Sequence, residues 1–296
     1  MNTKQIAYLQ IHFCIVLWGL TAILGKLISL ESGFILVWWR LLIAVAGMFL
    51  LPAVWRGLRT ISRRETLRVG AVGLIVAAHW VCFYAAIKAS NASIAVSCLA
   101  TTSFFTANLE PLIERRAYRW RELLLGLAIV PGIALIVGFA PEGYGGGIVL
   151  GLCAALAAAL FSTLNKRLLR NIDPFAYTTV QLSAGLVGLT LVLPFFVWQS
   201  GCAFVPALAT DWLWLFVLSI LCTVLPYILS LVALRELSAF TINLALNLEP
   251  IYSIVLAWLL FQENKELHWT FYLGIAIILS AIAAHPLLSK TDVQEV

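Results

Sequence analysis

Apolar segments of about twenty residues recur along this chain, and they constrain its fold more than any other feature. An α-helix needs about 20 apolar residues to cross the ~30 Å hydrocarbon core of a bilayer. The sequence divides into ten such segments, at 6–28, 34–54, 69–87, 92–113, 123–140, 147–169, 175–198, 212–234, 240–261 and 269–288. Transmembrane β-strands would alternate apolar and polar residues, whereas these segments are apolar on all sides. The pattern therefore predicts an all-α polytopic membrane protein with ten transmembrane helices.

The composition excludes a soluble domain. The chain is 62% hydrophobic and only 11% charged, whereas soluble domains carry about 25% charged residues. Its 11 Trp suit a protein with many water–lipid boundaries. The sequence contains no GxxxxGKS/T, HExxH or GxSxG motif, and its six Cys form no CxxC pair. We therefore predict no catalytic residues, no metal site and no cofactor.

The distribution of Lys and Arg predicts how the helices are oriented. With the N-terminus in the cytoplasm, all of the 19 cations except Lys26, Arg40, Lys88 and Lys265 fall on the cytoplasmic side, as the positive-inside rule requires. The segments 141–147 and 199–211 carry no Lys or Arg and belong outside. Both termini are therefore predicted to be cytoplasmic, and the net charge of +5 indicates orientation rather than a nucleic-acid partner.

The two halves of the chain resemble each other. Gly126 in LLLGLAIVPGIALI corresponds to Gly274 in FYLGIAIILSAIA, an offset of 148 (274 − 126). Because five is an odd number, a duplicated five-helix unit enters the membrane in the opposite sense the second time. We predict an inverted repeat, with residues 1–140 as the first unit and 141–296 as the second. The tetrapeptide NLEP occurs at 108–111 and 247–250, but its copies are 139 apart (247 − 108) and so do not correspond.

Four stretches together resemble the EamA-type transporters of the drug/metabolite transporter superfamily. They are LWGLTAILGK at 17–26, WWRLLIA at 38–44, NLEPIYSIVLAWLLFQE at 247–263 and GIAIILS at 274–280. The resemblance covers essentially the whole chain and implies a ten-helix exporter of the bacterial inner membrane, with an inverted five-plus-five repeat around a central cavity. With aromatic residues at positions such as Trp18, His79 and Tyr84, the sequence most resembles the branch of YddG-like aromatic amino acid exporters. The first copy departs from the family pattern, because Thr101-Thr102 stands where the second has Glu249-Pro250.

Ionisable and polar side chains within the apolar segments are the candidate substrate contacts. A charged residue at the bilayer centre costs roughly 2.5–3.5 kcal/mol on insertion scales, so each one requires a reason. Glu249 lies in the ninth segment with Asn243 and Asn247, and Pro250 follows it. These residues are predicted to line a polar, kinked surface that contacts substrate. The alternative is that the two Asn join helices while Glu249 pairs with Arg40 or a backbone amide.

The third segment supplies a second group of candidates. His79 lies at its middle, Phe83 is one turn further on the same face, and Tyr84 lies on the adjacent stripe. Imidazole donates or accepts hydrogen bonds and changes charge near neutral pH, so we predict that His79 lines the cavity. The alternative is a core His that bonds a neighbouring carbonyl. For Arg40 we expect a structural role that joins two helices, although its guanidinium could also bind a carboxylate.

Three further residues complete the predicted substrate-binding set. Trp18 and Tyr227 lie at mid-span, away from the depth of the interfacial aromatic belts, and are predicted cavity walls. Thr101 is included because it lies where the first repeat corresponds to the ninth segment.

The sequence therefore predicts a monomeric inner-membrane transporter that exports small metabolites, most of all amino acids, by alternating access. Its partners are a small-molecule substrate and the lipid bilayer. The alternatives are a drug or nucleotide-sugar transporter of the same superfamily, an intramembrane enzyme, or a small lipid carrier.

Overall fold

The computed structural model describes residues 2–169, 172–265 and 267–289, and within them the chain is helical, without β-strands. The helices of the first half are α1 (Thr3–Leu27), α2 (Gly33–Phe49), α3 (Pro52–Leu58), α4 (Arg63–Ala89), α5 (Ala92–Leu99), α6 (Thr102–Glu114) and α7 (Trp120–Gly138). Those of the second half are α8 (Gly145–Leu168), α9 (Pro174–Ser200), α10 (Ala209–Phe216), α11 (Leu225–Glu236), α12 (Ala239–Leu246), α13 (Glu249–Phe261) and α14 (Trp269–Ser289). A π-helix, Val217–Val224, joins α10 to α11, and a 3₁₀ turn, Glu263–Lys265, follows α13.

Each of the ten predicted segments is occupied by one or more of these helices, which confirms the all-α class. Seven helical stretches in the described chain are long and apolar enough to cross a membrane, or eight if α2 and α3 form one span. The axes of α2 and α3 differ by 87°, so α3 is a separate short helix rather than the end of the second segment. The number of ten spans stays a prediction.

The two halves contain the same broken helix. In the first, the eight-residue α5 ends at Leu99 and the thirteen-residue α6 begins at Thr102. In the second, α12 and α13 have the same lengths and are separated by the same two-residue break, at Asn247 and Leu248. Both second helices end at a residue with left-handed backbone, Arg115 and Gln262.

Corresponding ends of these helices are 147 residues apart (262 − 115). The offset of 148 predicted from the sequence is therefore one residue too large in this region. Asn108 lies inside α6 and Asn247 lies at the break, so the two NLEP copies occupy different places in the fold.

Helices of the two halves pack against each other rather than forming separate bundles. α4 packs along α8 and α9, α1 along α11 and α13, and α7 along α14. Phe139, just after α7, stacks on His268, just before α14, with ring centroids 5.4 Å apart. α7 and α14 therefore run in opposite directions, as helices related by an inverted repeat should.

Small residues permit the closest of these contacts. A Cβ added to Gly73 in α4 would lie 2.1 Å from the carbonyl oxygen of Gln181 in α9, and one added to Gly185 would lie 3.0 Å from the Gly73 oxygen. Close backbone approach at glycines is typical of helix pairs in membranes.

The outer surface of the bundle is apolar. Leu191 is 78% exposed, and Leu259 and Phe195 are also well exposed. A soluble monomer rarely exposes a continuous apolar surface of this kind, whereas a membrane protein places it against lipid.

Candidate functional site

A central cavity lies between the two halves, lined by α1, α2, α4, α8, α11 and both broken helices. The volume that the centres of water molecules can occupy is about 130 Å³. The cavity therefore holds on the order of ten waters. Its aromatic walls are Trp18, His79, Trp80, Phe83, Phe161 and Tyr227, and its polar groups are Thr21, Arg40, Thr102, Ser162, Asn165, Ser230, Asn243 and Glu249.

Both helix breaks open onto this cavity. Leu99, Ala100 and Thr102 line it from the first break, and Leu246, Glu249 and Pro250 line it from the second. Thr102 and Glu249 are the first residues of α6 and α13. The positive ends of two helix dipoles therefore meet the cavity, an arrangement that transporters built from inverted repeats use for polar solutes.

Arg40 is held rigidly at the cavity wall. Its Nε donates to Thr223 Oγ1 at 2.7 Å and its Nη1 to the Tyr84 hydroxyl at 3.1 Å. The guanidinium also lies 4.0 Å from the centroid of the Trp80 ring, a favourable cation–π contact. Nη2 makes no hydrogen bond with a described residue, so it can bind a ligand. The expectation of a helix-joining role for Arg40 is thus fulfilled, but the side chain also lines the cavity.

Thr223 lies in the π-helix, and its hydroxyl donates to the carbonyl of Leu218 five residues earlier, at 2.6 Å. The widened turn therefore places the acceptor that fixes Arg40. Single π-helical turns are frequent at functional sites.

Glu249 lines the same cavity. Its side chain is 8% exposed, and within the described chain its carboxylate forms no hydrogen bond or ion pair. The alternative of a direct ion pair with Arg40 is not formed in this conformation, although the two opposite charges face the same cavity and attract each other across it. Burial of a carboxylate without a partner is costly in free energy. The position of Glu249 therefore favours a function in which a bound ligand supplies that partner.

His79 both lines the cavity and bonds a neighbouring backbone carbonyl, the two alternatives that the sequence offered. Its Nδ1 lies 2.7 Å from the carbonyl oxygen of Ala154 in α8, and because a carbonyl only accepts, Nδ1 carries the proton. The ring stacks with Phe83 and meets Phe161 edge-on, at centroid distances of 6.4 and 5.4 Å. In the neutral ring, Nε2 is the acceptor that remains for a ligand.

Asn243 joins the two halves at the edge of the cavity. Its Nδ2 donates to Thr106 Oγ1 of α6 at 2.8 Å and to Ser162 Oγ of α8 at 2.7 Å. Both amide protons are therefore used, and Oδ1 forms no hydrogen bond with a described residue. Asn243 thus joins helices, as the alternative for it held, and still offers an acceptor to the cavity.

Tyr227 is positioned by a buried polar network. Its hydroxyl donates to Gln181 Oε1 at 2.5 Å, Gln181 Nε2 donates to Asn165 Oδ1 at 2.8 Å, and the Tyr177 hydroxyl donates to the same oxygen. The network holds the Tyr227 ring edge-on to Trp80, with centroids 6.1 Å apart.

The structure brings six of the nine predicted binding residues to one cavity: Trp18, His79, Phe83, Tyr227, Asn243 and Glu249. The other three are buried nearby. Tyr84 lies behind Arg40, Thr101 donates to the Cys98 carbonyl at 2.7 Å, and Asn247 donates to Ser103 Oγ at 2.7 Å. These three are corrected from cavity-lining to supporting positions. At each of them the backbone directs the side chain of a nearby residue, rather than its own, into the cavity.

Sequence reasoning missed several lining residues, among them Trp80, Phe161, Ser162 and Asn165. A signal existed for the last two, because Ser162 and Asn165 are three residues apart in the otherwise apolar α8 and so share a face. Trp80 lies four residues before Tyr84, on the same stripe of the third segment, whereas Phe161 carried no signal. Among the described residues, no group of three His, Cys, Asp or Glu could hold a metal ion.

Two interlocked helical halves around a central, partly polar cavity are typical of small-molecule transporters. The EamA-like transporter family matches residues 5–138 and again residues 145–284. The chain therefore belongs to this family and contains its repeat twice.

The known proteins that are similar to the chain include a curated relative and a solved structure. An uncharacterized transporter, YxxF, from Bacillus subtilis (strain 168) is 27% identical over 227 residues, which cover 75% of this chain and 70% of the relative. A solved structure titled "Crystal structure of protein" superposes with a TM-score of 0.70 at 15% identity, covering 96% of this chain and 98% of the other. The second similarity establishes the fold alone.

Proposed function

We propose that this protein exports amino acids, aromatic ones included, across a bacterial inner membrane by alternating access. Its family supports transport of a small molecule. The observation that supports the amino-acid assignment is the presence of one guanidinium, Arg40, and one carboxylate, Glu249, which are not bonded to each other, in a single aromatic-walled cavity.

An amino acid carries one carboxylate and one ammonium, and both need partners once water is removed. The free Nη2 of Arg40 suits the carboxylate, because guanidinium–carboxylate hydrogen bonds are among the strongest in proteins. Glu249 suits the ammonium, and the Oδ1 of Asn243 can accept from the same group. A zwitterion thus satisfies both buried charges and leaves the loaded cavity neutral.

The walls supply the preference for a large apolar side chain. Trp18, Trp80, Phe83 and Phe161 surround the space between the charged groups. An edge-to-face or offset pair of aromatic rings contributes about 0.5–1.5 kcal/mol of stabilisation beyond that from buried area. An aromatic substrate should therefore bind more tightly than an aliphatic one.

The two halves would rock against each other around this site. Ten spans, with both termini in the cytoplasm, place the two inverted units symmetrically about the cavity. One copy of the chain encloses the whole cavity, which supports transport by a monomer.

Purified protein in liposomes tests the proposal through substrate analogues. We expect flux of labelled tryptophan, strong competition by unlabelled phenylalanine, and weak competition by tryptamine, which lacks the carboxylate, and by indole-3-propionate, which lacks the ammonium. Arg40→Gln should remove the discrimination against tryptamine, and Glu249→Gln the discrimination against indole-3-propionate. Glu142→Gln, at an exposed loop position, is the matched control.

One other substrate class has a specific observation in its favour. An unpartnered carboxylate among aromatic rings also suits an aromatic cation, which is the drug-transporter alternative. Faster flux of tryptamine than of tryptophan by the unmodified protein would replace the amino-acid assignment with that one.

A further inference from the structure

The short helix α3 differs from the spans around it. It turns 87° away from α2, so if α2 crosses the bilayer, α3 runs along the membrane surface. Apolar side chains on and beside it are exposed: Leu50 is 83%, Leu67 75% and Trp55 53% exposed. An in-plane helix with exposed Leu and Trp places those side chains at the boundary of the acyl chains.

Five arginines surround these apolar groups. They are Arg56, Arg59, Arg63, Arg64 and Arg68, and all are exposed. None of them donates a hydrogen bond to a described residue or forms an ion pair with one. The one acidic residue of the segment, Glu65, is occupied by the backbone N–H and hydroxyl of Ser62 at 2.9 and 2.6 Å. Five arginines less Glu65 leave the segment with a net charge of +4 (5 − 1), which lies at the depth of the lipid headgroups.

The segment is also fixed in place. Gly57 and Val54 are buried, and a Cβ on Gly57 would lie 2.6 Å from Asp173 Oδ1 and 2.9 Å from the Ala176 side chain of α9. The N-terminus of α4 is held by the reciprocal bonds between Ser62 and Glu65. Arginines on a fixed backbone lose less conformational entropy on binding than arginines on a flexible loop would.

We propose that the surface formed by α3 and the start of α4, residues 50–68, is a binding site for anionic phospholipids. The arginines bind the phosphate groups, and Leu50, Trp55 and Leu67 contact the upper acyl chains. Because α3 connects α2, which carries Arg40, to α4, which carries His79, bound lipid restrains two walls of the cavity. The site does not depend on which substrate the cavity takes.

Native mass spectrometry of the detergent-solubilised full chain, titrated with phosphatidylglycerol or phosphatidylcholine, tests this proposal. We expect tighter binding of phosphatidylglycerol. Each arginine near an anionic surface contributes about fivefold to binding, so Arg56→Gln/Arg59→Gln should weaken it roughly tenfold or more. The matched control is Arg115→Gln/Arg121→Gln, which removes one arginine at the end of α6 and one at the start of α7 and should leave binding unchanged. Arg56→Lys/Arg59→Lys keeps the charge and should retain most of the binding.

Three outcomes would overturn the proposal. They are equal binding of the two lipids by the unmodified protein, equal losses in the two glutamine variants, and displacement of the lipid by inorganic phosphate at equal concentration. Thermal unfolding without added lipid shows whether each variant is folded. If Arg56→Gln/Arg59→Gln does not fold, the same comparison is made with Arg63→Gln/Arg64→Gln, whose side chains lie at the exposed start of α4.

Discussion

Glu110 of α6 accepts a hydrogen bond from the backbone N–H of Phe240, the second residue of α12, at 2.8 Å. It also accepts a longer one, 3.3 Å, from Ala239. The first half of the chain thus caps the broken helix of the second half. At the other broken helix the roles are exchanged, because Glu263 of the second half accepts from the N–H groups of Ala92 and Ser93 at the start of α5.

These two contacts come from positions that the repeat does not relate. Glu110 and Glu263 are 153 residues apart (263 − 110), whereas the helix ends around them are 147 apart. Each half therefore caps the broken helix of the other half with a carboxylate, and the two carboxylates occupy different positions in the repeat. Carboxylates are favoured at helix N-termini because the first N–H groups have no partner within the helix.

Replacement of Glu110 by Ala should destabilise the fold. The change leaves two buried N–H groups of α12 without an acceptor, which costs about 1–3 kcal/mol. Thermal unfolding in detergent measures the effect, and Glu142→Ala at an exposed loop position is the control. Equal midpoints for the two variants would contradict the capping role.

Lys26 and Glu263 should contribute unequally. They form an ion pair at 2.7 Å, but the Lys26 side chain is 34% exposed and that of Glu263 only 1%. Loss of Lys26 removes one partner of Glu263 but leaves it the donors of Ala92 and Ser93, whereas loss of Glu263 removes the acceptor for Lys26, Ala92 and Ser93 together. We expect Glu263→Ala to lower the free energy of unfolding clearly more than Lys26→Ala. The double variant should match Glu263→Ala alone, and strictly additive losses would refute the coupling.

Gly73 should tolerate no side chain. A Cβ there would lie 2.1 Å from the Gln181 oxygen, a backbone atom that cannot move aside. Gly73→Ala must separate α4 from α9 and should greatly reduce the yield of folded protein. Gly70→Ala, in the same helix, meets only the Ala184 side chain at 3.4 Å and should fold nearly as well as the unmodified chain. Size-exclusion profiles measure the yield of folded protein for the two variants, and equal yields would contradict the prediction.

His79→Ala should reduce transport by roughly tenfold or more, which is the effect of losing one hydrogen bond to a buried polar ligand. The comparison is Cys153→Ala in liposomes, because Cys153 is exposed and lies next to Ala154, the residue that binds the His79 ring. We expect little change from Cys153→Ala. Small and equal effects would make His79 a packing residue only.

The orientation of the chain can be measured with inserted tags. A tag at Gly145, between the fifth and sixth predicted spans, should be reachable from outside intact cells. A tag at Lys290, beyond the described residues, should not be. If both tags report the same side, the number of spans between them has been miscounted by an odd number.

The sequence by itself determined the elements. Long apolar runs predict helices in a bilayer, because a helix satisfies every backbone polar group within its own segment, whereas the strands of a barrel would alternate apolar and polar residues. The same reasoning located the groups that are costly in lipid, and Glu249, His79 and Arg40 all proved to line the cavity. An ionisable residue within a span is visible in a sequence because it stands alone among apolar neighbours.

The tertiary structure decided what the sequence could not: the rotation of each helix and the long-range pairs. Phe83 lines the cavity while Tyr84 supports Arg40 from behind, and the two differ by one position, or about 100° of helix rotation. The rotation is set by packing against other helices, such as the contact of Gly73 with Gln181. The same holds for Glu110 and α12, whose partners are about 130 residues apart and which meet because the two halves interlock. A helix that is apolar on every side carries no periodic signal for its inward face, so only the assembled bundle selects it.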